Sequence, residues 1–260
     1  MSAPAYYNEW DAYAAQWLRN LISAGHLPAG EVDTRSIADV RPDDLAGFRQ
    51  CHFFAGIGGW ALAARLAGWP DDRELWTGSC PCQPFSVAGK CAGTDDERHL
   101  WPHQFRLLRA CRPAVWMGEQ VAAAVGKDWL DGVLSDLESI GYAGRAAVVP
   151  ACAVDGPHRR DRLWLVADRD GAMGDGDSDR RTPRGITTSA AGHRNSARAA
   201  AWRDFRWVVC HDGKARRFQP GIQPLGDGFP ARVGRLRAYG NAIVPQVAAE
   251  VIGAFMECRP

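Results

Sequence analysis

The sequence has no apolar run that approaches the roughly 20 residues of a membrane-spanning helix. Its start, MSAPAYYNEW, also lacks the basic and apolar regions of a signal peptide. We therefore expect a cytoplasmic protein that makes no use of a membrane. Eight cysteines in 260 residues are too few for a disulfide scaffold, so we expect the thiols to stay reduced. Hydrophobic residues at 46% and charged residues at 23% exclude wholesale disorder.

Excess charge of either sign is missing too, because the formal net charge is +1. The distribution of charge along the chain is more informative. Residues 1–50 carry four Arg against seven acids, whereas residues 214–237 carry one Lys and five Arg against one Asp. The late basic stretch is a candidate phosphate-binding face, and a solvated surface is the alternative.

Short apolar segments alternate with stretches at helical spacing, starting with strand, turn and helix in YYNEWDAYAAQWLRNLI. The run CHFFAG predicts a buried strand that feeds a helix over Trp60–Ala67, closed by Gly68. Further strands are predicted in RELWTG, AVWMGEQ, AAVVPA and RLWLVA, and helices over His103–Cys111, Trp129–Ile140 and Pro245–Met256. This alternation predicts an α/β protein with an open, mostly parallel sheet, whose ligands lie beyond the carboxyl ends of the strands.

The chain changes character between Ala167 and Ala201, where Gly, Asp, Ser and Arg predominate and a surface excursion is expected. After it, WVVC and ARRF lie on either side of Asp212-Gly213, a pair typical of a hairpin turn.

The first cluster with a chemical meaning is FAGIGG, residues 54–59, between a predicted strand and a predicted helix. Glycines at such a turn let the backbone approach a ligand closely. The spacing is not that of a dinucleotide-binding loop, and a packing role is the alternative.

The second cluster is GSCPCQPFS, directly after a strand, where Cys82 sits in a proline-braced loop. A thiol held at a strand end is placed as an active-site nucleophile would be. A zinc site is the competing interpretation, although a Cys-x-Cys pair is not the usual ligand spacing. Its ligands would come from Cys80, Cys82, Cys91, His99 and His103.

Two more clusters carry charge at strand ends. In GEQV, Glu119 could share a crevice with the thiol and hold or donate a proton. In GPHRRDRLWLVA, Arg160 and Arg162 alternate before a strand and so project to the same side. Phosphates or a polarised carbonyl suit such a pair, while salt bridges to Asp161 or Asp155 are the alternative.

Together and in this order, the four clusters resemble the DNA cytosine-5 methyltransferase family of the phage and bacterial type. GNAIVPQVAAEVI, Gly240–Ile252, is similar to the C-terminal element of that family. The resemblance implies a Rossmann-like, S-adenosylmethionine-dependent methyltransferase fold and methyl transfer to carbon 5 of a flipped cytosine in DNA through a covalent cysteine adduct. Gln120 departs from the Asn usual in the glutamate motif, and His158 from the Gln usual in the arginine motif.

The order of the segments departs from the family pattern as well. Two further strands normally lie between the glycine loop and the nucleophile loop, but only residues 60–79 lie there. The segment YYNEWDAYAAQW looks like the ribose-binding segment, with Glu9 and Trp10, and VDTRSIADV looks like the adenine-edge segment, with Asp33. We therefore expect a local permutation in which the second and third strands of the sheet precede the first.

The resemblance also implies roles for individual residues. The expected catalytic residues are Cys82, Glu119, Arg160 and Arg162. The expected cofactor-binding residues are Phe54, Ala55, Gly56, Gly58, Gly59, Glu9, Trp10, Asp33 and Asn241. The expected substrate-binding residues are Gln83, Ser86, Arg235 and Arg237, and no metal is expected.

The expected organisation is a catalytic domain over residues 1–167, a short target-recognition segment over 168–233 and a return to the catalytic domain over 234–260. The expected partner is double-stranded DNA, bound by a monomer, with a cognate restriction nuclease as a further possible partner. Cytosine in RNA or in a free nucleotide is the alternative substrate. A catalytically silent DNA-binding relative and a zinc-stabilised binding module are the alternatives from other classes.

Overall fold

A computed structural model describes residues 5–81, 100–127, 129–156, 158–169, 206–209, 213, 215–218 and 238–259. Over these residues the strands are β1 Ala5–Asn8, β2 Gly30–Asp33, β3 Gln50–Phe53, β4 Leu75–Gly78, β5 Val115–Val121, β6 Ala143–Pro150, β7 Asp161–Asp168, β8 Arg206–Val209 and β9 Ala215–Phe218. The α-helices are α1 Ala12–Ser23, α2 Gly59–Ala67, α3 Trp101–Cys111, α4 Trp129–Ser139 and α5 Pro245–Cys258.

Seven strands form one sheet in the order β2-β1-β3-β4-β5-β7-β6, and β8 pairs with β9 in a separate antiparallel hairpin. The pairs from β2 through to β5 are parallel, whereas β7 runs antiparallel to β5 and to β6. The predicted α/β fold with a mostly parallel sheet is therefore confirmed, as is the predicted hairpin. No helix of the described ranges is long and apolar enough to cross a membrane.

The strand order is the one that the expected permutation requires. In an open doubly wound sheet the first strand lies centrally, and the second and third strands lie outward from it on one side. Here β3, which leads into the glycine loop, has the central place, and the two earlier strands β1 and β2 fill the outer ones. The register pairs Asn8 with Asp33 and with Phe53, so these three strands end level with one another. The segments after β1, β2 and β3 are thereby brought to one edge of the sheet.

The sheet is covered on both faces, as a parallel sheet requires. Every residue of β1, β3 and β4 is buried. Neighbouring residues of β1 face opposite ways: Tyr6 packs with Phe53 and Trp76, while Tyr7 packs with Leu18 and Leu27. These side chains fix the sheet in a layer between helices and hold its carboxyl edge in place.

Helix α2 begins and ends at glycines, as predicted for its C-terminal end. Gly58 before it has φ 84° and Gly68 after it has φ 80°, both in the left-handed region that favours glycine. Helix α5 packs against α2 through a cluster that includes Trp60, Ile243 and Val247. The end of the chain is thus packed beside the glycine loop.

The contact between α2 and the segment before α5 leaves no room for a side chain at Gly59. A Cβ atom built there would lie 2.6 Å from Ile243 Cγ1. We expect Gly59→Ala to lower the free energy of unfolding by about 1–3 kcal/mol, because overpacking displaces α5. Gly132→Ala, in α4, is the matched control with nothing within 4 Å of its Cβ, and it should raise stability by about 0.5–1 kcal/mol. Urea unfolding of both variants measures the difference, and equal effects would contradict this account.

Candidate active site

A cavity of about 850 Å³ opens beyond the carboxyl ends of β1, β3, β4 and β5. This volume lies within the range of roughly 300–1,000 Å³ that is typical of pockets for small molecules and cofactors. Ten of the residues singled out from the sequence line it: Glu9, Trp10, Phe54, Ala55, Gly56, Gly59, Glu119, Arg160, Arg162 and Asn241. The cavity therefore brings together residues from both ends of the chain.

The glycine loop is joined directly to the segment after β1. Gly56 N donates to Glu9 Oε2 at 2.7 Å, and Asp11 N donates to Glu9 Oε1 at 2.9 Å. Gly56 has φ 56°, and nothing described lies within 4 Å of where its Cβ would be. Phe54, at the strand end, also has a positive φ of 52°. The backbone of the glycine loop and the carboxylate of Glu9 therefore both line the cavity.

Gly58 does not belong to this lining. A Cβ there would collide with the side chain of Leu27, so the glycine is needed for packing against α1 and the segment that follows it. The prediction of a cofactor contact at Gly58 is thus replaced by a packing role.

The expected adenine contact, Asp33, is also displaced from the cavity. Its Oδ2 accepts from Tyr6 OH at 2.6 Å and from Arg35 Nη2 at 2.7 Å. Burial raises the pKa of Asp33, but the hydrogen bonds from Arg35 and Tyr6 outweigh it and hold that pKa below its ordinary value. The cavity is lined instead by Arg35, Ser36 and Ile37.

Sequence reasoning missed Ser36 and Ile37 because the resemblance assigned the adenine edge to Asp33 alone. β2 ends at Asp33, and the chain turns over the carboxyl edge only after it. The signal was present in the polar residues that follow the strand.

Trp10 forms part of the cavity rim. It follows β1, lines the cavity and is 74% exposed. An indole in that position offers a flat apolar face to a ring bound at the rim.

Cys82, Gln83 and Ser86 lie outside the described residues, as do Arg235 and Arg237. The chain is described as far as Pro81, which lines the cavity.

Cys80 is a different kind of thiol. It is buried, its Sγ lies 3.2 Å from Gln104 Oε1, and its carbonyl accepts from Gln120 Nε2 at 3.3 Å. Burial raises the pKa of the Cys80 thiol, so the group stays protonated at neutral pH. Gln120, which departs from the family pattern, thus holds the backbone two residues before Cys82.

Glu119 lies near the end of β5 and is only 9% exposed. Its Oε1 is 2.8 Å from Arg162 Nε. Burial raises the pKa of Glu119 above its ordinary value, against the opposing effects of Arg162, Arg160 and a hydrogen bond with Ser79. A carboxyl group in this environment is suited to holding or donating a proton at a bound base.

The paired arginines divide between two partners. Arg162 contacts Glu119, whereas Arg160 Nη2 donates to the carbonyl oxygens of Gly240 at 2.9 Å and Ala242 at 2.8 Å. The ion pair with Asp161 that was the alternative for this motif is made by Arg159 instead. Both motif arginines line the cavity, as the alternating pattern predicted.

The zinc alternative finds no support in the described part of the chain. Of its five candidate ligands, only Cys80 and His103 are described, and no group of three or more His, Cys, Asp or Glu that could hold a metal occurs among the described residues.

Comparison with known proteins gives several similar solved structures and one matching family model. Among solved structures, the chain is similar to a Dnmt2 variant from Spodoptera frugiperda, with 14% identity over 68% of this chain and 53% of that chain and a TM-score of 0.41. It is also similar to the Dnmt2 methyltransferase of S. pombe, with 14% identity over 80% of this chain and 65% of that chain and a TM-score of 0.41. The methyltransferase EhMeth of Entamoeba histolytica shows 12% identity over 65% of this chain and 54% of that chain, again with a TM-score of 0.41.

The chain thus spans about half the length of the first of these structures. No curated protein matches it. The family model of C-5 cytosine-specific DNA methylases matches residues 69–189. The matched segment contains Cys82, Glu119 and both arginines of the paired motif, so the chain is similar to this family over that segment.

Proposed function

We propose that the chain transfers a methyl group to carbon 5 of cytosine in double-stranded DNA. The observation that carries the proposal is the single cavity that joins the glycine loop to Glu119 and Arg162. One end of the cavity offers a site for a cofactor, and the other offers the carboxyl group of Glu119 and the guanidinium of Arg162 for a base. Pro81, which directly precedes Cys82 in the sequence, also lines the cavity.

The cofactor of this family is S-adenosylmethionine, and the residues present fit it. Glu9 lines the cavity, and a carboxylate is a suitable acceptor for ribose hydroxyls. The open position at Gly56 admits a close approach of the amino-acid part, and Trp10 offers a face for the adenine. Ser36 and Ile37 replace Asp33 at the adenine edge, and Asn241 also lines the cavity. When bound, S-adenosylmethionine supplies an electrophilic methyl group.

The residues at the other end activate the base. Carbon 5 of cytosine is a weak nucleophile, so electrons must first be added to the ring. The Cys82 thiolate forms a bond to carbon 6, and the ring electrons move toward carbon 5 and nitrogen 3. Glu119 gives its proton to nitrogen 3 and so neutralises the charge that develops there. Once carbon 5 carries the methyl group, loss of the carbon 5 proton, return of the nitrogen 3 proton to Glu119 and expulsion of the Cys82 thiolate restore the aromatic ring and the starting enzyme.

Arg162 orients Glu119 and lines the same pocket, which suits a contact to the base carbonyl. The target base has to leave the duplex to reach this cavity, at a cost of a few kcal/mol that backbone contacts offset. The basic residues between 214 and 237, with Arg235 and Arg237 among them, are proposed to supply those contacts.

Transfer of labelled methyl groups from S-adenosylmethionine to unmethylated duplex DNA tests the proposal, with RNA and dCMP as competing substrates. Label recovered as 5-methylcytosine in DNA is the expected result. Label that goes preferentially to RNA or to dCMP would change the proposed substrate but support the same reaction. A folded protein that binds the cofactor and labels none of them would overturn the proposal in favour of a silent DNA-binding relative.

Glu9 provides a test of the cofactor end alone. In Glu9→Gln the side-chain oxygen can still accept from Gly56 N, but the charge and one acceptor are lost. We expect the Kd for S-adenosylmethionine to rise about 10- to 100-fold, the equivalent of one charged hydrogen bond. Glu31→Gln, an exposed carboxylate on β2, is the matched control. Titration calorimetry measures both, and an unchanged Kd in Glu9→Gln would exclude Glu9 from the cofactor site.

A further inference from the structure

The side chain of Arg160 reaches a part of the chain eighty residues away. Its Nη2 atom donates to Gly240 O at 2.9 Å and to Ala242 O at 2.8 Å. These carbonyls lie on either side of Asn241, at the end of a helical turn over residues 238–241 and in the bend that follows it before α5. One nitrogen atom thus fixes both sides of the turn.

The backbone at Arg160 is strained. Its φ is 36°, in the left-handed region that an arginine rarely adopts. Its Nε is also buried, without a hydrogen-bond partner among the described residues. A strained backbone and an unpaired buried donor persist only where the surrounding contacts hold them. The two hydrogen bonds to the turn are the contacts that do so here.

Arg162, two residues further on, serves as an internal comparison. Its Nε pairs with Glu119 Oε1 at 2.8 Å, at the end of the cavity where the base is proposed to bind. Arg160 turns to the C-terminal segment instead. The two arginines of one motif therefore bind different partners while both line the same cavity.

The turn held by Arg160 borders the cofactor end. Gly240, Asn241, Ala242 and Ile243 all line the cavity. Ile243 lies against Gly59 at the start of α2, where no Cβ would fit. The ring of Tyr239, one residue before the turn, lies 5.4 Å from that of Trp17 on α1. Arg160, one residue before β7, supplies the third point of attachment.

We propose that Arg160 is a positioning residue that holds the Gly240–Ala242 turn against the sheet and so closes the cofactor end of the cavity. The inference rests on the proposed function for the identity of the cofactor, but not for the contact itself. It differs from the role that the paired-arginine motif implied, in which Arg160 would contact the flipped nucleotide.

Three variants separate these roles: Arg160→Met, Arg160→Lys and Arg162→Met. All keep a side chain at the strained position, so the backbone strain at residue 160 is common to them. Methionine keeps much of the apolar stem and removes the donors, while a lysine ammonium can replace Nη2 in part. Hydrogen–deuterium exchange of a peptide spanning residues 238–244, without cofactor, reports on the turn. Calorimetry with S-adenosylhomocysteine reports on the cofactor end.

In Arg160→Met we expect faster exchange over residues 238–244 and a Kd for S-adenosylhomocysteine raised about 10- to 100-fold, as for loss of charged hydrogen bonds. The rise in KM for S-adenosylmethionine should exceed the fall in kcat. Arg160→Lys should recover part of both losses. Arg162→Met should leave exchange and cofactor affinity within about twofold while kcat falls about 100-fold or more, as for loss of a transition-state contact.

The proposal is overturned if Arg160→Met keeps the exchange rate and the cofactor Kd of the wild type while kcat collapses, because Arg160 would then contact the base. Should Arg160→Met fail to fold, Arg160→Lys decides between the same two patterns. A wild-type protein that binds no S-adenosylhomocysteine would refute the proposed function, and exchange at residues 238–244 would still decide whether Arg160 holds the turn.

Discussion

Cys82→Ser is expected to abolish methyl transfer, with a loss of at least about 10⁴-fold in kcat. A serine hydroxyl has nearly the size of the thiol but does not ionise near neutral pH, so the bond to carbon 6 cannot form at a useful rate. Cofactor affinity should stay within about twofold, since the loss falls on a transition-state interaction alone. Filter binding of labelled DNA measures transfer, and calorimetry measures the cofactor.

Duplex DNA with 5-fluorocytosine at the target tests the covalent step directly. A fluorine at carbon 5 leaves no proton to remove, so the enzyme should remain attached to the DNA and migrate as one species in a denaturing gel. Cys82→Ser should form no such species. Cys152→Ser, an exposed thiol outside the cavity, is the control. Attachment that survives in Cys82→Ser and disappears in Cys80→Ser would show that the nucleophile is Cys80 and that its assignment to Cys82 is wrong.

Glu119→Gln carries the second large effect, a fall in kcat of about 10²- to 10⁴-fold, the usual contribution of a positioned acid. The carboxyl group is buried against Arg162, so its removal also leaves a guanidinium with its charge unpaired. The loss should appear in kcat and leave the Kd for S-adenosylhomocysteine nearly unchanged, because Glu119 lies at the base end of the cavity.

The pH profile distinguishes the acid role of Glu119 from a structural one. Transfer needs Glu119 protonated and Cys82 ionised, so the rate should fall on both sides of a maximum. Burial raises the pKa of Glu119, which keeps its protonated form available at higher pH than for a free glutamate. Since glutamine carries no proton to lose, Glu119→Gln should not show the alkaline fall. An alkaline fall that persists in the variant would contradict the assignment.

The sheet and the permutation could be predicted because each depends on signals that are local in the sequence. CHFFAG is an apolar run ended by glycines, and Glu9 directly follows another buried strand. In a parallel sheet, residues at strand ends converge whatever their order in the chain. The contact between Gly56 N and Glu9 Oε2 across 47 residues follows from that rule.

The parts that escaped prediction depend on contacts between distant segments. Nothing near Arg160 in the sequence indicates that it binds carbonyls beyond residue 238. Asp33 has the residue type expected at an adenine edge, but Tyr6 and Arg35 engage its carboxylate, and only the folded register reveals them. Gly58 likewise looks the same as Gly56 in the sequence, and the position of Leu27 separates their roles.

The place of β1 and β2 at the start of the chain makes them a detachable unit. Together with α1 they occupy one contiguous piece that ends before β3, and all of their sheet pairing to the rest passes through the β1–β3 ladder. A protein lacking this piece would present β3 as a new sheet edge, with the unpaired backbone groups and buried side chains that favour aggregation. When the missing piece is supplied as a separate peptide, its β1 strand can pair with the exposed edge of β3. Two fragments divided near residue 49 are therefore expected to be insoluble or unfolded apart and to reassemble when expressed together, which would make cofactor binding dependent on their association.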